Sequence, residues 1–111
     1  MSRVRNIYGG SENHQLFTTG KKDAFGLYRH YEINVLYSGR EPIQLDFQNG
    51  PVAVYGANGC SEEDLLAIVI DRLTCFQKGK LASASTGGAL TCAQTALGCL
   101  QERPKDRKVK P

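Results

Sequence analysis

The chain has 111 residues and a formal net charge of +3. This length supports one domain with a modest core, and the weak charge does not by itself indicate a nucleic-acid-binding protein. The N-terminus carries no apolar run, so neither a signal peptide nor a membrane span is expected. We expect a cytosolic protein whose four cysteines, Cys60, Cys75, Cys92 and Cys99, stay reduced.

The first half of the chain carries strand patterns separated by turn signals. Short strands are predicted at Val4–Tyr8 and Gln15–Thr18, with turns at Gly9–Ser11 and Gly20–Asp23. A longer strand is predicted from alternating apolar residues that only Arg29 interrupts. Its members are Leu27, Tyr31, Ile33, Val35 and Tyr37.

The next segment has the pattern of a hairpin. Residues 38–42 turn the chain, and Ile43, Leu45 and Phe47 then alternate again. Asn49-Gly50 is a strong two-residue hairpin signal, so a return strand is predicted through Val52 and Val54.

The second half predicts two amphipathic helices. Ser61 followed by Asp64 is a capping box for the first helix, and Ser83 or Ser85 caps the second. Each helix has apolar residues at steps of three and four along one face, and Pro104 stops or bends the second. These residues are Leu66, Val69, Leu73 and Phe76, then Leu90, Ala93, Leu97 and Leu100.

Strands followed by helices predict an α+β fold, with an N-terminal antiparallel sheet and a C-terminal antiparallel two-helix hairpin. We predict one domain over residues 1–111, with the sheet in 1–60, the hairpin in 61–107 and a tail in 108–111.

The sequence lacks the spacing of a catalytic or metal site. His14 and His30 have no partner at the spacing of metal or catalytic ligands. Asp64 and Asp71 are predicted to lie on a solvated face of the first helix. Residues 56–59 lack the lysine and the length of a phosphate loop, and no cysteine pair has C-x-x-C spacing. We therefore expect no enzyme activity, no metal and no cofactor.

The better candidates are binding groups around the turn between the helices. Phe76, Lys78 and Leu81 would place an aromatic face beside a cation, which suits a base stacked near a phosphate. The alternative is that Phe76 only plugs the end of the helix pair. Arg103 and Arg107 can likewise grip phosphate or complement the dipole of the second helix.

Longer motifs resemble a known family, the phage anti-Thoeris proteins of the first type. They are Phe47-Gln48-Asn49-Gly50-Pro51, Gly56-x-Asn58-Gly59, the run from Glu63 to Leu73 and Phe76-Gln77, with residues 10–19 and 23–31. The resemblance covers roughly residues 8–107. The helical hairpin alone is also similar to phage anti-CBASS sponges that bind cyclic di- and trinucleotides.

This resemblance implies a sponge acting in the cytoplasm of an infected bacterial host. Members sequester cyclic ADP-ribose isomers of the glycocyclic type, made by TIR-domain enzymes, without cleaving them, and they form dimers and in some cases hexamers. Their ligand residues match Phe76, Lys78, Arg103 and Arg107 here. No membrane partner is implied.

The chain departs from the family pattern near this site. Thr86 stands where an asparagine is usual, and Lys80-Leu81 replaces a common Pro-Phe pair. Pro104 falls between the two arginines, and the usual tail is replaced by Val109-Lys110-Pro111. These differences concern ligand choice more than fold.

Helix geometry adds an expectation about assembly. The first helix spans about sixteen residues, or roughly 24 Å, so Phe76 and Arg103 of one chain lie at opposite ends of the hairpin. They line one pocket only if a second chain supplies the other half, which predicts a dimer with two equivalent pockets. A small nucleic-acid-binding oligomer and a structural hairpin without a small ligand are the competing hypotheses.

Overall fold

The computed structural model describes residues 5–11 and 13–103, with side chains from residue 13 onward. The chain divides into two compact units, Met1–Cys60 and Ser61–Pro111. The first holds an antiparallel sheet and the second holds two long helices. The predicted α+β class is therefore confirmed, whereas the single domain stays a prediction.

The sheet is an antiparallel meander of four strands. They are β1 (Arg5–Ser11), β2 (His14–Thr19), β3 (His30–Val35) and β4 (Ile43–Asp46), in the spatial order β1-β2-β3-β4. The expectation that Gly9–Ser11 form a turn is wrong, because β1 continues through them. The β1–β2 register shifts twice, and such irregularities are places where a strand tolerates glycine. Val4, where the first strand was predicted to begin, lies outside the described residues.

Directly opposed residues of antiparallel strands share a face, so the register separates an apolar face from a polar one. Tyr31 lies between Thr18 and Leu45 on the apolar face. Thr18 is only 1% exposed, and its hydroxyl donates to the His30 carbonyl at 2.9 Å. The Tyr31 ring also meets the Phe47 ring edge to face, with centroids 5.4 Å apart, so β3 and the residue after β4 share one packing cluster.

The predicted return strand through Val52 and Val54 is wrong. These residues form the short helix α1 (Val52–Tyr55). Gly50 has φ +79°, and a side chain there would meet the Tyr55 ring. The chain after Asn49 thus curls back into a helical turn, and polar side chains hold it there in place of the hydrogen bonds of a hairpin.

The two long helices agree with the predicted starts. In α2 (Glu62–Lys78), the Ser61 hydroxyl accepts from the Asp64 N–H and the Asp64 carboxylate accepts from the Ser61 N–H, a complete capping box. In α3 (Ala84–Gln101), Ser83 is the cap, not Ser85. Each cap satisfies a helix N–H that has no partner inside the helix.

The hairpin buries its apolar residues incompletely. Leu66, Leu73 and Phe76 are half-buried, as are the four predicted face residues of α3. Val69 is 43% exposed and the neighbouring Ile68 is 58% exposed. Among the described residues, no hydrophobic side chain is fully buried. A single chain therefore leaves apolar helix surface in contact with water.

Candidate functional site

A groove opens where α2 ends and the chain turns toward α3. It encloses a volume of about 360 Å³, at the lower end of what small-molecule sites enclose. Two of its lining residues, Phe76 and Leu81, were predicted as ligand-binding residues from the sequence. The full lining is Asp71, Arg72, Cys75, Phe76, Gly79, Lys80 and Leu81.

The aromatic ring in this groove lies beside a cation. The Arg72 guanidinium carbon lies over the Phe76 ring, 5.7 Å from its centroid, within the range of a cation–π interaction. Arg72 was not among the sequence candidates. Its position four residues before Phe76 could have revealed it, since residues at that spacing are neighbours on a helix surface.

A network of hydrogen bonds fixes the turn beside the groove. The Gln77 side chain accepts from the Ser83 N–H at 3.0 Å and donates to the Ser83 carbonyl at 3.1 Å. The Ser83 hydroxyl in turn accepts from the Thr86 N–H and donates to the Thr86 hydroxyl. Gln77 thus ties the last turn of α2 to the cap of α3, which holds the groove in shape.

Two other predicted ligand residues lie near the turn but not in the lining. Lys78 is exposed and forms the last residue of α2. Thr86 is in the first turn of α3, and its hydroxyl already accepts from Ser83. Neither residue is among those lining the groove.

Arg103 lies at the opposite end of the hairpin. Its guanidinium donates to the carboxylates of Glu63 at 3.0 Å and Glu62 at 3.4 Å. Burial lowers the pKa of Arg103, but the bonds and charges of these two carboxylates outweigh it and raise that pKa. Glu63 precedes Phe76 by 13 positions, which is about 20 Å along a helix. Arg107 lies outside the described residues.

The recognisable loop of the first unit is held by its own side chains. Gln48 donates to the carbonyls of Gly50 and Gly56 and accepts from the Asn58 N–H. Asn58 accepts from the Asn49 N–H and donates to the Asn49 carbonyl. The amides of Gln48 and Asn58 therefore hydrogen-bond to the backbone of this loop and hold its conformation.

The sheet unit also contains a charged cluster that the sequence reading missed. His30 contacts Asp46 through Nδ1 at 2.8 Å and Glu32 through Nε2 at 2.9 Å. Bonding to Asp46 first, and then to Glu32, raises the pKa of His30. Glu32 lies two residues along the same strand, and Asp46 is directly opposite on β4. Both ring nitrogens of His30 therefore lie within hydrogen-bond distance of a carboxylate of the same sheet.

Within the residues that the structure describes, no group of three or more His, Cys, Asp or Glu side chains could hold a metal ion. No helix in that part of the chain is long and apolar enough to cross a membrane. All four cysteines are free thiols.

Comparison with known proteins confirms the predicted resemblance. The chain is 41% identical over 64 residues to Thoeris anti-defense 1 of Bacillus phage SBSphiJ7. The matched segment covers 58% of this chain and 45% of that relative, so the chain spans about half the length of the relative. No protein-family model matches the chain.

Proposed function

We propose that this protein is a phage anti-defence sponge that binds a cyclic ADP-ribose isomer, of the glycocyclic type, and withholds it from Thoeris immunity without cleaving it. The observation that carries this proposal is the 41% identity over 64 residues to a phage protein named Thoeris anti-defense 1. A sponge needs a binding site and no reacting group, so retention of the intact messenger is its defining property.

The groove at the end of α2 supports the proposal chemically. Phe76 offers an aromatic face, and Arg72 and Lys80 bring positive charge to the same groove. A purine stacks on such a ring, and cations attract the phosphates attached to it. A cyclic ADP-ribose isomer contains both parts in one compact molecule.

A dimer completes the proposed site. Within one chain, Arg103 lies about 20 Å along α2 from Phe76 and is paired with Glu62 and Glu63. A second chain packed antiparallel would bring its own C-terminal segment, with Arg103 and Arg107, to the groove. The exposed Ile68 and Val69 on α2 provide apolar surface for that packing.

The direct test is to incubate the purified protein with the products of a TIR-domain enzyme, remove unbound nucleotide, and release the bound material by heat. Mass spectrometry should identify an intact cyclic ADP-ribose isomer, in about one copy per chain. Recovery of a cyclic di- or trinucleotide from a mixed pool, with no ADP-ribose isomer, would replace this ligand with the anti-CBASS type. Time-dependent release of ADP-ribose above a protein-free control would show an enzyme.

Light scattering tests the assembly separately. We expect a mass of at least two chains at micromolar concentration, whereas a monomer mass would refute the shared pocket. A hexamer would mean that the dimers associate further.

A further inference from the structure

We propose that Asn49 is a site of spontaneous deamidation, a reaction that replaces the side-chain amide by a carboxylate, and that Asn58 is protected from it. Each of these asparagines precedes a glycine, Gly50 or Gly59. A glycine has no side chain to hinder the attack of its backbone nitrogen on the preceding amide, so an Asn-Gly pair is prone to this reaction. One loop thus contains two candidates, and its hydrogen bonds separate them. This chemistry is independent of the ligand-binding function proposed above.

The reaction at Asn49 needs no reagent except water. The backbone nitrogen of Gly50 attacks Cγ of Asn49, and the new N–Cγ bond closes a succinimide ring. The Cγ–Nδ2 bond breaks, and the amide nitrogen leaves as ammonia with the proton lost by the Gly50 nitrogen. Water then opens the ring at either carbonyl. Cleavage of the N–Cγ bond gives aspartate, and cleavage of the original peptide bond gives isoaspartate.

The side chain of Asn58 is held by two hydrogen bonds. Its Oδ1 accepts from the Asn49 N–H at 2.8 Å, and its Nδ2 donates to the Asn49 carbonyl at 3.0 Å. The Asn58 N–H also donates to the Gln48 side chain at 3.0 Å, which fixes the backbone. Both side-chain bonds must break when the Asn58 amide turns toward the Gly59 nitrogen and loses Nδ2, so these bonds slow its deamidation.

The side chain of Asn49 is not restrained in this way. Asn58 bonds to its backbone N–H and carbonyl, but within the described residues the Asn49 side-chain amide makes no hydrogen bond. In that same part of the chain, the Gly50 N–H donates no hydrogen bond either. Rotation of the Asn49 amide toward the Gly50 nitrogen therefore breaks no hydrogen bond there. Asn49 should react first, although Asn58 is the more exposed of the two.

The two products should affect the loop differently. Aspartate leaves the main chain at position 49 unchanged, and the loop does not depend on the side chain of that residue. Isoaspartate carries the main chain through Cβ and Cγ, so the original Asn49 carbonyl becomes part of a side-chain carboxylate. The Asn58 amide spans the N–H and the carbonyl of Asn49, and this spacing is then lost. Isoaspartate should therefore destabilise the loop that positions α1.

The experiment compares deamidation of the full chain in the folded state and in urea, at one mildly alkaline pH. Arg40 and Arg72 bound a single tryptic peptide that contains both asparagines, so fragment masses give the extent of reaction at each. The ratio of the rate in urea to the rate in the folded protein measures the protection of each residue. The protection of Asn58 should exceed that of Asn49 by about tenfold or more, because two hydrogen bonds must break.

Asn49→Ala is the control for the assignment. It removes the first reaction site but keeps the N–H and the carbonyl to which Asn58 bonds, so Asn58 should remain protected. Equal protection of Asn49 and Asn58 in the folded wild type, or stronger protection of Asn49, would overturn the proposal.

The isoaspartate product tests the consequence for the loop. After separation by ion exchange, it should unfold at a lower denaturant concentration than Asn49→Asp, which carries the same added charge on an unchanged main chain. An identical unfolding midpoint would show that the loop does not depend on the spacing of the two groups that Asn58 holds.

Discussion

The loop over residues 47–60 and the end of α2 differ in how their polar groups are used. In the loop over residues 47–60, the Gln48 and Asn58 side chains are bonded to backbone groups of the same loop. At the end of α2, Gln77 bonds to the backbone in the same way, whereas Arg72 and Lys80 take no part in the ion pairs of the described residues.

The difference separates residues that maintain the fold from residues that are free to bind. A side chain that is hydrogen-bonded to backbone groups cannot use those same bonds for a ligand without breaking them. The loop over residues 47–60 is therefore structural by this criterion, whereas the groove beside Phe76 has unused binding capacity. Mutations in the two places should accordingly affect different measurements.

The largest effect is expected from Gly59→Ala in the structural loop. A Cβ at this position would lie 2.5 Å from the carbonyl carbon of Phe47 and 2.6 Å from the carbonyl oxygen of Asp46. Because both atoms belong to the backbone, the chain must move, at a cost of roughly 1–3 kcal/mol in unfolding free energy. Chemical denaturation measured by circular dichroism should report this loss.

Gly88→Ala is the matched control in the hairpin unit. A Cβ there meets nothing within 4 Å, and alanine in a helix is more stable than glycine by roughly 0.5–1 kcal/mol. The control should thus be slightly more stable than the wild type. Equal stability of Gly59→Ala and the wild type would contradict the close approach of residue 59 to Phe47.

The next effect concerns binding and not stability. Phe76→Ala removes the stacking surface of the groove, and base stacking on an aromatic ring contributes about 1–3 kcal/mol. Affinity for a glycocyclic ADP-ribose should fall roughly tenfold to a hundredfold, as measured by isothermal titration. The oligomer mass should stay that of the wild type.

Phe25→Ala is the control for this substitution, because Phe25 is an aromatic residue of the sheet unit that is 70% exposed. It should bind like the wild type. If instead Phe76→Ala keeps full affinity, Phe76 is only a plug at the end of the helix pair, which is the alternative that the sequence left open.

A smaller effect is expected at the cap of α3. Ser83→Ala removes the hydroxyl that accepts from the Thr86 N–H at 3.0 Å, which costs about 1 kcal/mol of unfolding free energy. Ser85→Ala tests the other cap that the sequence allowed. Since Ser85 lies inside the helix, where alanine is favoured, that variant should not lose stability, and a reversed order would move the start of α3.

The sequence predicted the helical hairpin better than the sheet unit, and the reason is physical. Helix starts depend on local groups such as Ser61 and Asp64, which lie three residues apart and bond to each other. The helix at Val52–Tyr55 depends instead on Gln48 and Asn58, which are ten residues apart. Their hydrogen bonds favour a helical turn after Asn49-Gly50 over the hairpin that this dipeptide predicts.

In the candidate site, too, local features were predicted and long-range contacts were not. Phe76 and Leu81 were identified because the turn between two helices is visible in the sequence, and the structure places both in the groove. The pairing of Arg103 with Glu63 and that of His30 with Asp46 were missed because these partners are distant along the chain, whereas Glu32, two residues from His30 on the same strand, could have been found. Long-range pairing of this kind has no local signature.

The smallest effect should be the pH dependence that His30 contributes. Its pKa is raised by Asp46 first and by Glu32 second, so the folded state holds the proton more tightly than the unfolded state does. The contribution is fully present below the unfolded pKa of about 6.5 and is lost as pH rises through the higher folded value. This contribution to stability is small because the Asp46 side chain is 56% exposed, so water screens its interaction with His30.

The unfolding free energy of His30→Gln should therefore differ most from that of the wild type near about pH 5.5. The difference should become small near about pH 8, above the range in which histidine usually titrates. The measurement is the unfolding free energy at several pH values, at one fixed protein concentration so that assembly does not vary. Asp46→Asn should flatten the same dependence, because it removes the strongest partner of His30 and leaves only Glu32. A wild-type stability that rises relative to His30→Gln as pH increases would reverse the sign, and would show that the ring is held neutral between the two strands.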